Sequence, residues 1–361
     1  MSDDKKLQEI RSRIDRIDQQ LQDLITERAR CAQEVARHKG DVEDTAEYYR
    51  PEREAQILRQ VVRRNRGPLP DEAMARLFRE IMSACLSLQH PMKVAYLGPE
   101  GTYTQAAVIK HFGHAATSLP LGSIDEVFRD VEANAAHYGV VPIENSSEGA
   151  VDHTLDMFIA SPLKICSEIE LRIHHCLLSR EDSLEGVTRI YAHQMALAQC
   201  REWLDAHAAR IERIAVNSNA EAAKRASGEP GAAAIASESA AEIYGLGILS
   251  ANIEDKPDNT TRFLVIGRQA PASSGRDKTS LLVSAANKPG ALYRLLEPLS
   301  NHGISMTRIE SRPSRQGLWE YVFFIDIEGH VDDARVAAAL QDLESEAAMV
   351  KVLGSYPCAV L

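Results

Sequence analysis

Apolar residues near the start of the chain recur three and four apart: Leu7, Ile10, Ile14, Ile17, Leu21 and Leu24. That spacing lines one helical face and makes a coiled-coil-like seam. No Pro or Gly interrupts it before Gly40, so the pattern predicts a helix over residues 6–39, roughly 50 Å long. Such a helix is too long to bury its seam alone. Pro51 suits the first turn of a second helix to about Asn65, and G-P-L-P at 67–70 breaks the chain before a third, Asp71 to Gln89. Three helices with one very long member suggest an entwined dimer.

After His90-Pro91 the pattern changes. Val94 to Leu97 reads as a strand, G-P-E-G-T-Y-T at 98–104 opens a helix, and a strand near 116–119, a helix from Ser123 and a strand at Val140 follow. This β-α-β order implies a mainly parallel sheet. Residues 165–178 alternate and could cross into a second lobe, where 190–191, 211–216 and 232–236 again alternate with helical stretches. Phe263 to Ile266 is a returning strand with Thr261 and Arg262 at its entrance. Residues 268–278 read as a linker by composition. Beyond them the order is strand (280–285), helix (290–301), strands (304–311 and 318–327), helix (331–345) and strand (349–356), which is ferredoxin-like. The expected domains are 1–90, 92–268 and 279–361.

Composition narrows the class. The 361 residues are 44% hydrophobic and 26% charged, with a net charge of −11; that is a soluble globular balance. Residues 1–90 carry 17 basic and 17 acidic side chains, so the remainder holds the whole deficit. That argues against nucleic-acid binding. No apolar run approaches a membrane span, and M-S-D-D-K-K is too charged for a secretory signal. Six scattered cysteines without a C-x-x-C pair indicate neither a zinc site nor a disulfide frame, and a cytoplasmic location is expected.

Two stretches carry candidate chemistry. In G-V-V-P-I-E-N-S-S-E-G-A-V (139–151) a buried strand runs into a polar corner offering Asn145 and Ser146, where backbone N–H groups at a helix start favour an anion. An ordinary capped helix start is the plainer alternative. In the long helix, Arg28 and Lys39 lie on one face roughly 16 Å apart, where a dicarboxylate could span them. Arg11 is roughly 25 Å from Arg28 and turned by about 100°, so only a second chain could deliver it to the same ligand.

The first segment resembles the all-helical chorismate mutase family, on L-x-x-I-R (7–11), E-R (27–28), Lys39, R-E (53–54) and Gln89. The resemblance implies that Arg11, Arg28 and Lys39 hold the substrate carboxylates, Lys39 and Gln89 bond the ether oxygen, and Glu54 meets the ring hydroxyl, with Arg53 and Cys85 also at the site. Arg50 stands where an acid is often found and Cys85 where a Ser is, both read as peripheral. The middle segment, on G-P-E-G-T-Y-T (98–104), P-I-E-N-S (142–146) and T-R-F (261–263), resembles prephenate dehydratase, with two α/β lobes of the periplasmic binding-protein type. Thr261 would hydrogen-bond or protonate the departing hydroxyl and Arg262 contact a carboxylate. Asn145, Ser146, Thr154, Gln199 and Phe263 would bind substrate; Ala192 replaces a common Ser. The last segment, on N-K-P-G-A-L-Y (287–293) and E-S-R-P (310–313), resembles an α+β ACT regulatory domain, with L-phenylalanine expected at Gly290, Ala291, Leu292, Glu310, Ser311, Arg312 and Pro313. The whole chain thus resembles the bifunctional chorismate mutase/prephenate dehydratase family. That implies chorismate and prephenate as substrates, phenylalanine as effector, a homodimer or higher oligomer, and no cofactor or metal. A ligand-binding regulator, or a dehydratase whose helices are only a scaffold, are the rival readings.

Overall fold

The computed structural model describes residues 2–39, 49–284, 288–313 and 321–360. Three helices open the chain: α1 (Ser2–Lys39), α2 (Pro51–Arg64) and α3 (Asp71–Ser87). Pro51 sits in the first turn of α2, where its missing N–H costs nothing. α3 stops short of its expected end, leaving Gln89 in a turn whose N–H donates to the Leu86 carbonyl at 2.9 Å. α1 packs on α3, yet its seam from Leu7 to Leu24 stands 44–62% exposed in the single chain. Covering six half-exposed side chains of this size is worth about 5–9 kcal/mol.

Two α/β lobes follow. The first contains β1 (Lys93–Leu97), α4 (Tyr103–Phe112), β2 (Thr117–Leu121), α5 (Ile124–Glu132), β3 (Tyr138–Asn145), β4 (Gly149–Ala150), α6 (Asp152–Ala160) and β5 (Lys164–Arg172). The second contains β6 (Cys176–Ser179), β7 (Arg189–His193), α7 (Gln194–Gln199), α8 (Arg201–His207), β8 (Glu212–Val216), α9 (Asn219–Gly228), β9 (Ala232–Ala236), α10 (Glu238–Tyr244) and β10 (Gly247–Ser250). The chain then returns as β11 (Thr260–Gly267) to the first sheet, whose order is β2-β1-β3-β11-β5 with β4 paired to β3. Only β2, β1 and β3 run parallel there; β11 lies antiparallel between β3 and β5. The second sheet is ordered β10-β6-β9-β7-β8. Its central strand β9 is alanine-rich and wholly buried, which lets the alanine face of α9 approach closely.

The expected alternating run 165–178 breaks into β5 and β6, and that break is one of two crossings between lobes. The other joins β10 to β11. The two crossings are laced together: Ile173 N–H donates to Asn259 O at 2.8 Å and Ile253 N–H to His175 O at 2.9 Å.

The last unit contains β12 (Asp277–Ser284), α11 (Ala291–Asn301), β13 (Met306–Pro313), β14 (Tyr321–Glu328), α12 (Ala334–Glu346) and β15 (Met349–Pro357), with sheet order β13-β14-β12-β15. The expected strand positions 285 and 318–320, and Asn287, lie outside the described residues. Both helices cover one sheet face. The other face shares a core with the first lobe, where Leu282, Val322, Phe324, Leu353 and Tyr356 meet Ile143, Leu155, Phe158, Ile165 and Leu264. Contact is close enough that a Cβ on Gly354 would fall 2.3 Å from the Ile165 carbonyl oxygen. Lys351 Nζ donates to the Phe158 and Ser161 carbonyls at the end of α6, at 2.9 and 2.7 Å.

The stretch read as a linker is partly a clasp. The Asp277 carboxylate accepts from Ser274 Oγ and from the Ser274 and Gly275 N–H groups. Arg59 of α2 donates to Ser274 Oγ at 3.0 Å and to the Arg276 carbonyl at 2.8 Å. Ser/Gly composition signals flexibility only when nothing ties the backbone; here a buried carboxylate and a guanidinium do.

Candidate active sites

An open cavity of about 510 Å³ lies between α1, α2 and α3. Its wall brings together Arg28 and Cys31 of α1, Arg50, Arg53 and Glu54 at the start of α2, and Cys85 and Gln89 at the end of α3. Arg11 is absent from it, as the helical geometry requires. Lys39 ends α1, and its side chain lies outside the described residues. Arg50 lines the cavity and is therefore not peripheral, contrary to the sequence reading; its place just before α2 aims it at the same space as Arg53. Cys85, also read as peripheral, is a buried part of the wall.

Glu54 is only 17% exposed, and burial raises its carboxyl pKa to about 7, with Arg79 pulling the other way from 3.8 Å. Arg79, on α3, is not part of the cavity wall but pairs with Glu54 there, a pairing the sequence did not suggest. Its partner comes from another helix, so no local spacing marks it. The cavity therefore offers an excess of cationic groups around one carboxyl that changes charge near neutrality, which suits a compact dianion.

The second site lies where β3 and β11 run side by side. The sequence reading set a strand directly against a helix at the 145–149 corner. Instead the chain turns back as a short hairpin, Asn145 pairing with Gly149, before α6 begins. Asn145 Oδ1 accepts from the Ser147 and Glu148 N–H groups at 2.9 and 3.2 Å. Those backbone donors are thus taken by a side chain rather than left for an anion.

Asn145 Nδ2 donates to Asn259 Oδ1 at 2.9 Å and to Thr261 Oγ1 at 2.8 Å. An amide has two donor hydrogens and one acceptor oxygen, so Asn145 is fully engaged and orients Thr261 rather than gripping substrate itself. Thr261 accepts that bond, and among the described residues nothing accepts its own hydroxyl hydrogen. Ser146 Oγ accepts from Thr260 N–H at 3.0 Å, which pins the hairpin to β11. Gln199, at the end of α7, turns Oε1 toward Asn259 Nδ2 at 3.2 Å and His175 Nε2 at 2.8 Å.

Three expected substrate contacts fall elsewhere. β11 begins at Thr260 rather than near Phe263, so Thr261 and Arg262 are successive strand residues and face opposite sides. Arg262 points away from Thr261 into the interface with the last unit, donating to Glu168 Oε2 at 2.9 Å, Asp326 Oδ2 at 2.6 Å and Tyr356 Oη at 3.0 Å. Burial lowers its pKa, but Tyr356, Asp326 and Glu168 more than reverse this, so it stays charged. Phe263 is a core residue packed among Tyr138, Val140 and Cys166. Thr154 is wholly buried and spends its hydroxyl on the Pro142 carbonyl at 2.7 Å.

The proposed effector residues split in the same way. Gly290 has φ +77° ahead of α11, with Ala291 and Leu292 opening the helix. E-S-R-P forms the end of β13, and its register with β14 pairs Ser311 with Phe323 and Arg312 with Val322. Phe323 packs on the helix side of the sheet and Val322 on the lobe side. Ser311 and Pro313 thus share the helix face, while Glu310 and Arg312 face the first lobe. Arg312 is there paired with Asp152 and with Asp156 at 2.8 Å, both on α6.

Among the described residues no group of three or more His, Cys, Asp or Glu is placed to hold a metal ion, and no helix is long and apolar enough to cross a membrane. A chorismate mutase type II family model matches residues 10–90, a prephenate dehydratase model residues 94–271 and an ACT domain model residues 279–345. The bifunctional chorismate mutase/prephenate dehydratases of Stutzerimonas stutzeri and Pseudomonas aeruginosa are 57% and 56% identical to this chain, each over the full length of both. The prephenate dehydratase of Arthrobacter aurescens, solved in complex with L-Phe, covers 74% of this chain and 90% of its own with a TM-score of 0.69 and 37% identity. The three family models in this order, with relatives of 57% and 56% identity over the full length of both chains, show that the chain belongs to the bifunctional chorismate mutase/prephenate dehydratase family.

Proposed function

We propose that Thr261 is the group that meets the leaving hydroxyl in the dehydratase step, and that the observation carrying this role is its bond from Asn145 Nδ2 at 2.8 Å. Because Oγ1 is an acceptor in that bond, its hydrogen is free for substrate. In the reaction the C–CO₂ bond breaks and its electrons complete the aromatic ring as the C–OH bond breaks. The hydroxyl departs with its bonding electron pair, hydrogen-bonded or protonated by Thr261, and carbon dioxide leaves; the one proton that turns hydroxide into water comes from solvent, directly or by restoring the Thr261 hydroxyl. Aromatisation supplies the driving force, so a hydroxyl donor suffices where a strong acid would otherwise be needed. Gln199 is the candidate contact from the second lobe, since among the described residues nothing accepts from its Nε2.

The mutase reaction breaks an ether C–O bond and forms a C–C bond with no proton transfer. The site only has to fold the substrate and stabilise charge on the ether oxygen. Arg28, Arg53, Glu54 and Gln89 suit this, with Lys39 and the Arg11 of a second copy completing the set. The half-exposed seam of α1 supports a homodimer in which that arginine crosses over. L-phenylalanine as a feedback effector at Gly290–Leu292 and Ser311, and a cytoplasmic location, complete the reading. The test is to supply chorismate to the purified protein without cofactor or metal and follow phenylpyruvate. Thr261→Ser should keep part of the dehydratase kcat and Thr261→Val almost none. Undiminished kcat in Thr261→Val would remove the assignment.

A further inference from the structure

The hydrogen bonds at the dehydratase site do not stop at Thr261. They continue through Asn145, Asn259, Gln199 and His175 to Tyr103, leaving the first lobe, touching the second at Gln199 and returning to the first by way of both chain crossings. We propose that Asn259 and His175 are positioning residues for the dehydratase reaction, members of a directional chain that sets where Thr261 presents its hydroxyl hydrogen. The inference rests on Thr261 being the hydroxyl that meets the leaving group.

The direction of every bond follows from one end. Asn145 Oδ1 faces two backbone N–H groups, those of Ser147 and Glu148. A backbone N–H can only donate, so the oxygen of Asn145 must lie on that side and its nitrogen on the other. The nitrogen's two hydrogens then go to Asn259 Oδ1 and Thr261 Oγ1. Asn259 having turned its oxygen to Asn145, its Nδ2 faces Gln199, 3.2 Å away. Gln199 must answer with Oε1, and the same oxygen meets His175 Nε2 at 2.8 Å. That nitrogen therefore carries a hydrogen.

Burial keeps the His175 ring neutral, pushing its pKa down against the opposing pull of Gln199 and Glu254. In a neutral ring with Nε2–H, Nδ1 is an acceptor. It faces Tyr103 Oη at 2.9 Å, and that hydroxyl's one hydrogen is shared between Nδ1 and the His174 carbonyl, whose oxygen is 2.7 Å from Oη. Burial likewise keeps the Tyr103 phenol protonated. None of the three amides, Asn145, Asn259 or Gln199, can be turned over without opposing two like groups.

Asn259 is the pivotal link, being 3% exposed and bonded to both lobes. His175 is 2% exposed and closes the far end. Without the Asn259 acceptor the Asn145 amide, its oxygen still held by Ser147 and Glu148, loses one of the two bonds that fix its nitrogen and can tilt. Thr261 is then released to point its hydrogen elsewhere, and a misplacement of this order is worth about 10² in rate.

The test uses the full chain and prephenate. Asn259→Ala should lower dehydratase kcat by about 10²-fold with a much smaller change in KM, while mutase activity on chorismate in the same sample reports an intact fold. Asn259→Asp, which keeps an acceptor toward Asn145 but sets a second oxygen against Gln199 Oε1, should restore only part of that loss. In the Thr261→Val background, Asn259→Ala should cost little more. Full additivity of the two losses would mean that Asn259 does not act through Thr261, and the proposal would fall. If Thr261→Val alone had no effect, the Thr261 assignment would fall first, a separable outcome. A readout independent of mutational damage is the ¹⁵N spectrum of histidine-labelled wild type, with the His175 signal identified by its loss in His175→Asn. The expected form is neutral with the hydrogen on Nε2; an Nδ1–H or doubly protonated ring would break the chain of direction and overturn the proposal.

Discussion

Replacing Arg262 by Met tests whether this residue serves the substrate or the docking of the regulatory sheet. Its side chain is 8% exposed, and its partners Glu168 and Asp326 are 1% and 8% exposed. After the substitution Glu168 keeps Lys278 at 2.9 Å and the Ala359 N–H at 3.1 Å. Of the Asp326 carboxylate's hydrogen-bond partners among the described residues, the Ser280 hydroxyl remains. An ion pair broken in this way costs about 3–5 kcal/mol, because one charge stays buried without its partner. At about 1.4 kcal/mol per decade, hydrogen exchange in β12 and β14 should speed up by roughly 10²- to 4 × 10³-fold. Removing both charges, as in Arg262→Met with Asp326→Leu, should recover much of this. The KM for prephenate should stay close to that of the parent, since Thr261 and Arg262 face opposite sides of β11. A tenfold or larger rise in KM with exchange unchanged would refute this placement and return Arg262 to the substrate.

Three further expectations follow from the helical and regulatory units. Because the Glu54 carboxyl is raised to about 7, it is mostly neutral below that pH and anionic above; the mutase KM for dianionic chorismate should climb through neutrality, and Glu54→Gln should flatten the profile, whereas an unchanged profile would exclude Glu54 as its source. Mixing inactive Arg11→Ala and Arg28→Ala chains should regain mutase activity, since one site of a mixed dimer is intact; failure despite demonstrated subunit exchange would count against the crossing arginine. Gly290 has φ +77° and a Cβ there would sit 3.2 Å from Arg294 Nη1, so Gly290→Val should strain the start of α11 and weaken phenylalanine binding in calorimetry; an unaltered binding constant would place the effector elsewhere.

Much of the fold was legible because it rests on period. The three- and four-residue spacing of α1, the β-α-β order of the lobes and the ferredoxin-like order of the last unit are local patterns repeated over many residues. The failures were failures of register and of tertiary pairing. D-N-T-T-R-F has no apolar alternation before Phe263, so nothing marked Thr260 as the start of β11, and Arg262 was set on the substrate side. Ala, Ser and Gly between 270 and 275 read as a tether because Arg59, which holds them, lies some two hundred residues away. Asn259 and His175 went unassigned for the same reason: each sits on a different crossing, and only the folded chain brings them to Gln199. The resemblance singled out Thr261, Asn145 and Gln199, which the fold brings into one hydrogen-bonded group, but sequence does not reveal that Asn145 spends all its hydrogen-bonding capacity on holding its neighbours.

Strand alternation also supplies a physical route from the proposed effector site to the chemistry. On β13, Ser311 lies on the face with α11, while Arg308 and Arg312 lie on the other, paired with Glu144 and with Asp152 and Asp156. Glu144 directly precedes Asn145 in β3, and α6 follows the hairpin that Asn145 closes. On β11 the alternation is reversed in sense: Thr261 faces Asn145 while Arg262 holds Asp326 of the regulatory sheet. Two strands thus carry, on adjacent residues, one group at the dehydratase site and one at the domain interface. A shift of the sheet by the length of a hydrogen bond would reach both Asn145 and Thr261 without crossing any intervening layer. Coupling of about 1–3 kcal/mol is enough for such a switch, less than the cost estimated for losing the Arg262 pairs. Inhibition therefore needs only a change in how these ion pairs are held, and Arg308, whose guanidinium bridges β13 to the residue beside Asn145, is where that change bears most directly on the oriented threonine.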